Sequence, residues 1–198
     1  MNLLTNKLPN SVEIDGRKYQ INSDFRAMIQ FEMLMFDEEI EDEERLTRSL
    51  ELFYEECPHN IEGAINELLS FYKCGKSEIS EVNSSKRERN ERIYSFEHDD
   101  SYIFSAFLNQ YSINLQEIEY LHWWQFRALF KSLNETQEFV KIMRYRATDL
   151  SKIKDKEQKA YYQKMKDIYK LPINKKDQQQ LDKLTEALLS NGDISELL

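Results

Sequence analysis

Glycine and proline are scarce, with 4 and 3 in 198 residues. An all-β fold needs many tight turns, so this scarcity argues against one. It also leaves little material for a glycine-rich phosphate cradle. Two cysteines, Cys57 and Cys74, cannot make a disulfide framework or a paired-cysteine metal site. No run of about 18 apolar residues occurs, so no membrane-spanning helix is expected. Met1–Leu8 lacks the basic stretch and apolar run of a secretory leader. A cytoplasmic chain with reduced thiols is therefore expected. Nucleophile-elbow and phosphate-loop motifs are missing, so the expectation is a non-enzymatic protein with no cofactor and no metal.

What is present suits long amphipathic helices around a sizeable core: 40% hydrophobic, 12% aromatic and 32% charged residues. The net charge of −9 is unevenly spread. Residues 1–100 carry 12 Lys/Arg against 23 Asp/Glu, and residues 101–198 carry 15 against 13. Residues 32–62 hold 12 acids and 2 bases, while residues 141–170 hold 10 bases and 4 acids. Both stretches read as solvated helix faces or as patches that steer self-association or a charged partner. The overall acidity argues against non-specific nucleic-acid binding.

Ser11–Ile21 reads as a β-hairpin, with Asp15-Gly16 supplying the left-handed backbone of a tight turn. Ser23 or Asp24 then caps a helix to about Phe36 that is apolar nearly all round. Its Met33 and Met35 are candidate protein-binding residues, because a thioether adapts to irregular partners. After an acidic turn at 37–44, a helix is predicted from about Glu43 to Glu56. Another starts with Pro58 in its first turn and closes at Gly75. Residues 76–93 are polar and read as a linker. A helix over Phe96–Gln110 follows, with Asp99 and Asp100 in its first turn as favourable charges. Asn134 is expected to cap a helix carrying Phe139, Ile142, Met143 and Tyr145. A lysine-rich helix is expected over about Asp155–Lys170, with Tyr161, Tyr162 and Met165 on its apolar face. A C-terminal helical extension is expected over 173–198. The fold class read from this pattern is mainly α, a multi-helix bundle with one N-terminal β-hairpin. Its segments are 1–75, the 76–93 linker, 94–172 and the 173–198 extension.

At the centre lies Glu119-Tyr-Leu-His-Trp-Trp-Gln-Phe-Arg-Ala-Leu-Phe130, which holds both tryptophans. It has no Gly, Pro or β-branched residue. Asn114 and Glu117 have capping-box spacing, so one long helix is predicted from there through Leu133. Trp123 falls with Phe126 and Phe130 on a core face. Tyr120, Leu121 and Trp124 fall on the other, with Arg127 beside them. That second face is either covered by the Tyr161/Tyr162 helix or touched by a partner, since tryptophan and tyrosine concentrate in interfaces. The candidate protein-binding set is therefore Tyr120, Leu121, Trp124, Arg127, Met33, Met35, Tyr161 and Tyr162.

This stretch resembles the bacteriophage family named after gene product fifteen, as do Tyr94-Ser-Phe-Glu-His-Asp-Asp100 before it and Asp149–Gln158 after it. The resemblance spans roughly Leu8 to Pro172. It implies a tail-assembly chaperone or chaperone-like protein of phages of Gram-positive bacteria, working in the host bacterial cytoplasm. The implied partners are the tape-measure protein and other tail-assembly proteins, with self-association as a further possibility. A second reading is a phage-encoded regulator that binds a host protein or nucleic acid through the basic 141–170 region. His98-Asp99-Asp100 is the nearest approach to a metal site, but consecutive helical residues diverge by about 100° and do not converge on one ion. His122, on an apolar face, reads as a structural histidine with a local hydrogen-bond partner.

Overall fold

The computed structural model describes residues 2–75 and 92–172. The expected linker, apart from residues 92–93, and the C-terminal extension lie outside the described residues. Among the described residues two strands and seven α-helices follow in chain order, a mainly helical fold with one N-terminal hairpin. Strands β1 (Ser11–Ile14) and β2 (Arg17–Gln20) pair antiparallel, with Val12 opposite Tyr19. Asp15 and Gly16 both have positive φ, 52° and 75°, as the tight turn requires.

Helix α1 (Phe25–Phe36) begins at Asp24, whose carboxylate accepts from the Arg26 amide. Helices α2 (Asp42–Phe53) and α3 (Ile61–Tyr72) follow, α2 packing on both α1 and α3. The α3 cap is Asn60, whose side chain accepts from the Gly63 amide, so the predicted start at Pro58 comes too early. Helix α4 (Asp100–Tyr111) starts one turn later than predicted, because Phe96–His98 form a separate turn. Helices α5 (Trp123–Lys131), α6 (Glu138–Ala147) and α7 (Lys156–Ile168) complete the order. Asn134 caps a local turn by accepting from Thr136, and Gln137 is the residue before α6.

The largest departure from the sequence reading is the central helix. Only one turn follows Asn114, where the Glu117 and Ile118 amides reach its carbonyl. Helix α5 then starts eight residues after the predicted first helical residue, Leu115. Tertiary pairing takes the intervening backbone. The Phe25 amide donates to the Leu121 carbonyl at 2.9 Å, and the Trp123 amide donates to the Ser23 carbonyl at 2.8 Å. The Arg26 guanidinium donates to the Leu115 and Ile118 carbonyls, which a continuing helix would have used itself. Residues 21–25 thus act as an extended hub. On one side the Asn22 amide meets the Phe53 carbonyl and Ile21 bridges Tyr54, which also ends α2. On the other side Asp24 bridges His122.

One apolar cluster runs through both segments of the chain, from Ile14 to Phe139. Phe126 sits at its centre, with ring centroids at 4.9 Å from Phe25, 5.0 Å from Phe107 and 5.7 Å from Trp123. Offset ring stacks of this kind add to simple burial. Helix α7 stands apart, packing on α6 and on the 3₁₀ turn Leu150–Lys152, with no buried residue of its own.

Candidate protein-binding surface

Both indoles on the first turn of α5 point at the end of α3. Trp123 Nε1 donates to the Tyr72 carbonyl at 3.0 Å, and Trp124 Nε1 donates to the Phe71 carbonyl at 2.8 Å. The last carbonyls of a helix lack intrahelical i+4 partners; α5 gives the Tyr72 carbonyl an N–H donor and gives the Phe71 carbonyl a second one beside the Cys74 amide. Behind α3 the chain turns through Cys74 and Gly75, both at positive φ. A Cβ on Gly75 would lie 3.2 Å from the Trp124 ring, so the indole closes tightly on that turn.

Trp124 is accordingly only 6% exposed, and Leu121 is buried too. Leu121 and Trp124 are therefore not on a free face. Trp124 is covered by the end of α3, from the N-terminal segment, rather than by the Tyr161/Tyr162 helix. The face assignment failed because residues 119–122 are not helical, so helical spacing does not apply to them. Tyr120 is exposed, with its hydroxyl 2.8 Å from Ser23 Oγ. Arg127 is half-buried, stacked over the Trp123 ring and 3.4 Å from the Tyr94 hydroxyl. Near it lies buried Glu32, which accepts a short hydrogen bond from Tyr72. Burial, reinforced by the Glu32 carboxylate, pushes the Tyr72 hydroxyl pKa well up, so Tyr72 stays a donor. Arg127 thus belongs to an internal polar cluster joining α1, α3 and α5. Its Nε has no hydrogen-bond partner among the described residues.

His122 caps α5. Its Nδ1 accepts from the Trp124 amide at 3.0 Å, and its Nε2 lies 3.1 Å from the Pro9 carbonyl. This arrangement requires the neutral ring with the proton on Nε2. Burial lowers the His122 pKa, outweighing the opposing effect of Pro9. The expectation of a structural histidine with a local partner is met.

Asp99 is not a solvated first-turn acid. It is 1% exposed and takes two hydrogen bonds from Arg146, at 2.6 and 2.9 Å. Arg146 also donates to the Ile93 and Tyr169 carbonyls, so one guanidinium ties α4, α6 and the end of α7 together. A charge 47 residues away in sequence gives no local signal of this pairing. His98 is exposed, so the His98-Asp99-Asp100 triplet is split between surface and core. Among the described residues no cluster of His, Cys, Asp and Glu could hold a metal ion, and no helix is long and apolar enough to cross a membrane.

Part of the basic 141–170 region is spent within the chain. Arg146 is internal, while Lys141, Arg144 and Lys152 pair with Glu138, Glu135 and Asp149. Tyr161 is 49% exposed and Tyr162 half-buried, both packed edge-on against Tyr145. The Tyr145 hydroxyl pKa is pushed up to about 12, mainly by its hydrogen bond with Tyr161.

An open groove of about 790 Å³ lies along the C-terminal part of α1, between α2 and residues 92–98. Met33, Leu34, Phe36, Ile40 and Leu52 supply its apolar lining, and five carboxylates stand around them: Asp37, Glu38, Glu39, Glu51 and Glu97. Phe36 is 49% exposed. The Arg92 guanidinium lies 3.7 Å from the centre of the Phe36 ring. Of the sequence candidates only Met33 lines this groove. Met35 is exposed but points elsewhere, since residues two apart on a helix diverge by about 200°. Phe36, Ile40, Leu52 and the acids were missed as site residues. The available signal was a helix apolar all round, more than one core face needs, running straight into an acidic stretch.

The fold and the groove define a mainly helical protein that offers an acidic, apolar-floored surface. The chain belongs to the bacteriophage Gp15 family: that family's model, described as Bacteriophage Gp15 protein, matches residues 4–171. The match spans the hairpin, all seven described helices and the groove except for Pro172. Neither a curated protein nor a solved structure matches the chain.

Proposed function

We propose that this phage protein is a non-enzymatic accessory of tail assembly. It acts in the host bacterial cytoplasm, binding the tape-measure protein or other tail components before they are incorporated. The observation that carries this reading is the groove, where Met33 and Phe36 remain exposed on a helix that already commits Phe25, Met28 and Phe31 to the core. Exposed apolar side chains grouped on one helix mark an interaction site, and an elongated helical client is what such a groove accepts. Reversible holding suits a shallow, half-polar surface better than a deep one, because a client has to be released.

The test is co-expression with the tape-measure protein encoded by the same phage or prophage, followed by co-purification. A soluble complex that dissociates when tail-tube protein is added supports the proposal. A tape-measure protein that stays insoluble and unbound would sink it.

A further inference from the structure

We infer that the groove along α1 is the docking site for a basic amphipathic helix of a partner protein, one whose apolar stripe is flanked by lysine or arginine. The inference deepens the binding function proposed above and rests on it.

Three observations point the same way. The floor is apolar, with Met33, Phe36 and Leu52 among the side chains that line it. A helix laid into such a floor buries its stripe at positions i, i+3, i+4 and i+7. The surrounding charge is predominantly negative, five carboxylates against Arg48 and Arg92, and Arg48 already pairs with Glu44. Such a rim attracts cationic partners and repels anionic ones. The groove also shows the contact it would make, because the chain's own Arg92 lies over the Phe36 ring among these carboxylates. A guanidinium over an aromatic face beside acids is the seat that an incoming arginine or lysine takes. At about 790 Å³ the groove holds several large side chains at once.

The experiment uses the full chain and two synthetic helical peptides of about 18 residues, roughly five turns. One carries a leucine stripe flanked by lysines, the other the same stripe flanked by glutamates. Binding is measured by fluorescence anisotropy across a salt series. The lysine helix is expected to bind, to weaken as salt rises, and to exceed the glutamate helix by at least about tenfold. The groove variant Glu51→Lys/Glu97→Lys is expected to reverse that preference. A control, Glu55→Lys/Glu62→Lys, makes the same change in net charge at exposed positions outside the groove and should leave the preference standing. Circular dichroism melts of both variants establish that they fold.

Equal loss in the groove and control variants overturns the inference, since the attraction would then be overall acidity alone. Equal binding of the two peptides, or no binding, also overturns it. So does a change in the solution mass of the chain itself on reversing the groove charges, which would assign the groove to a second copy. If the tape-measure protein co-purifies equally well with the groove variant, the groove assignment fails while the tail-assembly reading stands. If the wild-type chain captures no tail protein, that reading fails and takes the assignment with it.

Discussion

Helices α5 and α7 each carry a pair of adjacent large aromatic residues, Trp123-Trp124 and Tyr161-Tyr162, yet the fold uses them in opposite ways. In nine residues α5 buries Trp123, Trp124, Phe126 and Phe130. In thirteen residues α7 buries none, and its tyrosines pack mainly on one another and on Tyr145. The difference lies in what each helix end meets. Helix α5 starts against the last carbonyls of α3, which accept both indole N–H groups, and against an extended hub, so its polar groups are satisfied on entry and its rings can be enclosed. Helix α7 starts from its own cap, Asp155 on Gln158, and is fastened at its far end by Arg146 on the Tyr169 carbonyl. Aromatic content alone therefore does not separate core from surface. The supply of partners for neighbouring backbone groups does.

The comparison can be broken by substitution. Trp123→Ala is expected to cost about 3–5 kcal/mol, as large aromatic truncations in a core do. Trp124→Ala should fall in the same range, since its indole also leaves the Phe71 carbonyl without that donor. Denaturant unfolding checks both, and an unchanged midpoint for Trp124→Ala would show that its burial is dispensable. Arg146→Ala should cost about 3–5 kcal/mol, because Asp99 is then left buried and unpaired. Asp99→Ala on top of it should recover much of that loss. Limited proteolysis should find α7 cut sooner in Arg146→Ala, with α5 still protected.

A smaller effect comes from pH. The His122 pKa is lower in the folded chain than in the unfolded one. Its contribution is therefore fully present above about pH 6.5, the unfolded value, and is lost as pH falls through the lower folded value. Protonation also removes the acceptor for the Trp124 amide. Denaturation midpoints should fall between about pH 7.5 and about pH 5. His122→Asn, which keeps a cap acceptor, should flatten that part of the profile for a cost of about 1 kcal/mol or less. Smallest of all, Tyr161→Ala should shift stability by no more than about 0.5 kcal/mol, as exposed positions do. A larger loss would mean that α7 is more deeply integrated than its exposure indicates.

Much of the fold is legible in the chain. The Asp15-Gly16 turn, the Asp24 cap of α1 and the Asp155 start of α7 are local chemistry, and each falls where the sequence places it. The capping pattern at Asn114 is also real, but it holds for one turn only. Nothing near it reveals that Arg26, 89 residues earlier, takes the Leu115 carbonyl, or that Ser23 and Phe25 take the backbone of 121–123. The groove was half legible: Met33 was visible as surplus apolar surface, and its acidic neighbours as a solvated face or a partner-steering patch, but nothing in the spacing joined the two.

By itself the sequence determined the helical class, the hairpin, most helix positions and the family, because caps, turns and hydrophobic spacing act over a few residues. Tertiary structure decided where the central helix begins, that both tryptophans are enclosed, which cations are spent on internal carboxylates, and where the groove lies. Those outcomes depend on which distant backbone groups and charges meet once the chain is packed. A buried carbonyl or carboxylate has to find a partner wherever the fold brings one.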